Sequence, residues 1–87
     1  MIIDMKQIRQ LGARDGRALA AALASNIPDG ATDEQVEGMF QIVVRGIQET
    51  AEELIAAGLS ESLAVAYRTV CYEVLDREMV GKVRGGQ

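Results

Sequence analysis

The sequence has no histidine and no tryptophan, one cysteine, one proline, one phenylalanine and two tyrosines. Without histidine it lacks the side chain whose charge ordinarily changes between about pH 5 and 8, which is also the commonest metal ligand. No imidazole is present to activate Cys71, so the lone thiol reads as a small core residue rather than a nucleophile. A single cysteine excludes an intrachain disulfide, and this usage fits a reducing, cytoplasmic setting. No Glu-x-x-His pair exists to build a di-metal bundle. No segment resembles a signal peptide or a run of about 20 apolar residues, so a membrane span is not expected. The residues therefore call for no catalytic centre, no cofactor and no metal, and the chain reads as a non-enzyme.

What is present is aliphatic and segregated in charge. Hydrophobic residues make up 48% of the 87, enough for one domain covering residues 1–87, with a core built mostly without aromatic rings. A chain this short buries only about 60% of its unfolded surface, and association between copies is a common remedy. Of the net charge of −4, residues 1–28 hold four basic and two acidic groups, residues 29–61 one and eight, and residues 62–87 four and three. The acidic middle argues against a general nucleic-acid footprint and would attract a basic partner surface.

Local punctuation predicts three helices, over about 5–25, 32–57 and 60–83. Asp4 with Gln7 forms a capping-box pattern, and Ile3 with Ile8 has the spacing of a hydrophobic staple. Asn26-Ile27-Pro28-Asp29-Gly30 is turn chemistry, because proline disfavours helical geometry at the residue before it. Thr32 with Gln35 repeats the capping box, with Asp33 and Glu34 at the positive end of the helix dipole. Gly58 suits a left-handed closing position and Ser60 an N-cap. So short a connection predicts an antiparallel hairpin of the second and third helices. Residues 84–87 are expected to form a flexible tail.

The second helix has a clear core stripe in Val36, Phe40, Val43, Val44, Ile47, Ala51, Leu54 and Ile55. Gln41, Gln48, Glu49, Glu52 and Glu53 lie opposite. Ile42 points away from that stripe and sits between Gly38 and Gly46. Two mid-helix glycines cost about 1 kcal/mol each relative to alanine, which close approach of another helix across this strip would offset. The first helix repeats the device in Gly12, Gly16, Ala20 and Ala24, each four residues after the last, flanked by Ile8, Leu11, Leu19 and Leu23. Small residues at this spacing let two helix backbones approach closely. Asp15, within the apolar face, requires a partner, expected to be Arg45, Arg68 or Arg77.

The third helix is the most informative element, because its apolar residues fall on two sides. Leu63, Tyr67, Val70 and Val74 share one stripe, and Val65, Tyr72 and Met79 another. One stripe serves the chain's own core; the other asks for a partner. The expected contact surface is Val65, Arg68, Tyr72, Leu75 and Met79, joined by Ile42, since tyrosine, methionine and arginine are enriched at interfaces. The chain thus reads as an all-α, three-helix, non-enzymatic protein-protein interaction module. It would act as a homodimer or on another protein, in the manner of a regulator, adaptor or phage-type inhibitor.

Two other readings come from particular segments. Lys6, Arg14 and Arg17 form a modest basic face, and a three-helix chain raises helix-turn-helix DNA binding. The third helix, however, opens Glu61-Ser62-Leu63 with few donors where base-reading groups belong. The terminal Gly85-Gly86-Gln87 is similar to the tail of the prokaryotic ubiquitin-like modifier Pup, a resemblance that implies a protein modifier joined through Gln87. Met39-Phe40-Gln41-Ile42-Val43-Val44, continuing through Glu49 and Thr50, resembles a helix of the small all-α chorismate mutases. That family has one long first helix, whereas this chain breaks at Pro28.

Overall fold

The computed structural model describes residues 3–85, with side-chain surroundings described through Met79. Three helices account for it: α1 (Met5–Asn26), α2 (Asp33–Ala56) and α3 (Glu61–Gly85). Each starts where a side chain takes up an orphan backbone N–H. The Gln7 amide donates to Asp4 Oδ1 at 2.8 Å while Gln7 Oε1 accepts from the Asp4 amide at 3.0 Å. Thr32 and Gln35 make the same reciprocal pair at 3.1 and 2.8 Å. Ser60 Oγ accepts from the Leu63 amide at 3.3 Å. At the end of α2, Gly58 takes φ +109°, and the Leu59 amide reaches back to the Leu54 carbonyl at 2.9 Å, a Schellman-type closure.

α3 continues to Gly85, so the first half of the expected tail, Arg84 and Gly85, is helical. Gly86 and Gln87, which carry the rest of the tail and the modifier reading, lie outside the described residues.

α3 is the central element, packed extensively on α1 and also on α2, whereas α1 and α2 scarcely meet. The result is elongated, about 45 × 20 × 16 Å. The α1–α3 seam is set by glycine. A Cβ built on Gly12 would lie 3.0 Å from the Tyr67 carbonyl oxygen and 3.1 Å from Val70 Cβ. One built on Gly16 would lie 3.0 Å from Val74 Cβ and 3.1 Å from the Cys71 carbonyl oxygen. Because a step of four residues on α1 matches a step of four on α3, the two helices run parallel. Ala20 continues the stripe and is buried; Ala24, at its end, is half-buried. The Cys71 thiol crosses the seam, donating to the Gly12 carbonyl at 3.3 Å.

The core holds Ile8, Ala20 and Leu23 of α1, Ile47 and Ala51 of α2, and Ala64, Tyr67, Cys71, Leu75 and Met79 of α3. This corrects the expected partner face of α3. Leu75 is 0% exposed and Met79 6%, so both belong to the chain's own core. At about 100° per residue, the covered residues of α3, from Ala66 round to Tyr72, form one arc of about 240° rather than two opposite stripes. A helix touched by two neighbours needs such an arc. On α2, Ile55 departs from the expected core stripe and is exposed.

Candidate interaction surface

Asp15 stands at the one polar contact between α1 and α3, among the described residues, that involves a charged group. Its Oδ2 accepts from the Tyr67 hydroxyl at 2.6 Å, and its Oδ1 lies 3.5 Å from Arg14 Nε. The partner is thus a phenol from the facing helix and a neighbour on its own, not Arg45, Arg68 or Arg77. Burial first, and then this hydrogen bond, holds the Tyr67 phenol far above its ordinary value of 10.0. Asp15, Ala18, Leu19, Thr50 and Tyr67 line a shallow cleft of mixed polarity. A carboxylate committed to a phenol whose ionisation is suppressed can orient a hydroxyl.

The remaining residues of the expected contact surface scatter. Val65 is 39% exposed, Arg68 and Tyr72 are half-buried, and the Tyr72 hydroxyl is enclosed without a hydrogen-bond partner among the described residues. They do not form one exposed patch with Leu75 and Met79. Ile42, by contrast, is 69% exposed, which places a large aliphatic side chain on the outer side of α2. Gly38 and Gly46 beside it face open space, with nothing within 4 Å of a Cβ built on either. Within the chain they therefore permit no close helix approach, unlike Gly12 and Gly16.

Ile42 stands at the rim of an apolar groove of about 240 Å³ between α1 and α2. Leu19, Ala22 and Leu23 form one wall, Met39 and Val43 the other, and Asn26 closes one end. The groove exists because α1 and α2 both pack on α3 and barely on each other. Its walls come from two stretches without charge: no ionisable residue occurs between Arg17 and Asp29, or between Glu37 and Arg45. Those gaps are the signal in the sequence for this surface. They are quieter than the apolar periodicity of α3.

Fold and surface together define an all-α, three-helix domain with an open, uncharged groove. No known protein family, curated protein or solved structure matches the chain. Among the described residues, no helix is long and apolar enough to cross a membrane.

Proposed function

We propose that the chain is a non-catalytic helical interaction module, a regulator or adaptor by class, that takes an apolar helix face against the α1–α2 groove and works in a self-associated form. In this reading α2 and α3, joined by the short turn at Gly58, form an antiparallel hairpin that holds the groove wall in place. One observation carries it: Ile42, 69% exposed, at the mouth of an apolar groove walled by two uncharged helix segments. A large aliphatic side chain left in solvent beside an apolar groove supports this reading. A helix bound in a groove presents anchors at i, i+3, i+4 and i+7, and Leu19, Leu23, Met39 and Val43 offer such anchors apolar contact.

Ile42→Glu tests the reading. The side chain makes few contacts within the chain, so helix content and melting temperature should hold. Complexes the chain forms, with itself or with a defined protein partner, should dissociate. A variant that keeps every complex of the wild type ends the reading.

A further inference from the structure

Resting on the self-association in that reading, we infer that a second copy of the chain docks on the outer face of α2, on the side of Ile42 turned away from the groove walls Met39 and Val43. Two α2 helices cross antiparallel, so that Ile42 of each lies over Gly38 of the other. The argument begins with shape. Ile42 is an exposed knob, and the space above Gly38 is open. A glycine opposite a branched side chain lets helix backbones approach closely. A two-fold axis makes the contact reciprocal, because the same patch serves on both copies.

Charge then selects the register. When Ile42 is opposite Gly38, Arg45 falls opposite Gln35 of the second copy, one residue from Glu34. At about 100° per residue, Gly38, Arg45 and Glu34 all lie to the same side of Ile42. Arg45 is the only basic residue of α2, and this arrangement sets it beside a carboxylate twice per dimer. The overlap ends near Ile47 opposite Asp33, leaving Glu49, Glu52 and Glu53 outside the seam. The competing register, with Ile42 opposite Gly46, draws Glu49 and Glu53 into the seam and sets Arg45 against Val43. Like-charged and unpaired groups make that pairing unfavourable. A second copy meets the conditions of this outer face of α2: an uncharged centre, a knob matched to a glycine, and one complementary charge pair on the flank.

Sedimentation equilibrium of the intact chain over a concentration series tests this, with circular dichroism as the control for folding. The wild type should reach twice the chain mass of 9.4 kDa, and Ile42→Glu should remain at 9.4 kDa. Gly38→Leu fills the seat and should weaken association about tenfold or more. Arg45→Glu alone should weaken it, and Arg45→Glu combined with Glu34→Arg should restore it. A wild type that is monomeric throughout overturns the inference; the interaction reading then survives only if Ile42→Glu still abolishes binding to a different protein. A dimer indifferent to Ile42→Glu overturns both. A dimer lost with Ile42→Glu but not rescued by the charge exchange overturns the register, and with it the inference.

Discussion

Gly16 and Val74 face each other so closely that a Cβ on the glycine would lie 3.0 Å from that of the valine. Neither the valine's branch point nor the Cys71 carbonyl beside it is the free end of a flexible side chain, so the seam has no easy way to yield. Gly16→Val is therefore expected to destabilise by about 1–3 kcal/mol, the usual cost of overpacking. Gly46→Ala has open space and a helical backbone, and should stabilise the chain by up to about 1 kcal/mol. Urea titrations of the two variants check the opposite signs. A Gly16→Val chain as stable as the wild type would mean that the helices are not this close.

The Asp15–Tyr67 hydrogen bond joins residues far apart in sequence and involves a charged acceptor. Tyr67→Phe should cost about 1–2 kcal/mol. Asp15→Ala should cost at least as much, because it leaves a buried hydroxyl without its acceptor. The double variant should fall short of the sum, since either change alone removes the same contact. A double-mutant cycle by chemical denaturation measures the coupling, and strict additivity would show that the pair contributes nothing as a pair.

Alkaline stability follows from two buried acids. Burial raises Tyr67 above 10.0 and Cys71 above 9.0. The neutral forms are those favoured in the folded chain. Their contribution is complete below the ordinary values and is lost as pH rises through the folded ones, because the unfolded chain ionises first. Stability should begin to fall above about pH 9, by up to about 1.4 kcal/mol per pH unit for each group. Tyr67→Phe should remove the part of the slope that begins near 10. Melting temperatures recorded across the alkaline range would show it, and an identical slope in the variant would contradict the assignment.

Leu75 and Val65 separate the core of α3 from its surface. Leu75→Ala should cost about 2–5 kcal/mol through the cavity it leaves, whereas Val65→Ala should change stability by about 0.5 kcal/mol or less. For a chain of this size each kcal/mol moves the melting temperature by about 4–8 °C, so calorimetry distinguishes the two directly. Comparable losses at both positions would restore the two-sided reading of α3.

Elements of this fold whose signals lie within a few residues are legible in the sequence. Asp4 with Gln7 and Thr32 with Gln35 start their helices where the capping pattern says. Gly58 ends α2 because a left-handed residue there satisfies carbonyls within the last turn. The Gly12–Gly16–Ala20 stripe announces a close helix approach, yet nothing in it names α3 as the neighbour or parallel as the direction. The buried side of α3 and the partner of Asp15 are not legible. Nor is the groove behind Ile42.

The sequence by itself determined the three helices, their caps and the places where a backbone could come near, all of which depend on interactions between residues about three to five apart. Only the tertiary structure decided that Leu75 and Met79 are core, that Tyr67 meets Asp15, and that α1 and α2 stand apart around an open groove. Those outcomes depend on which helices become neighbours. Periodicity shows how much of a helix is apolar, but the arc that is finally covered is set by the number and direction of the helices packed on it.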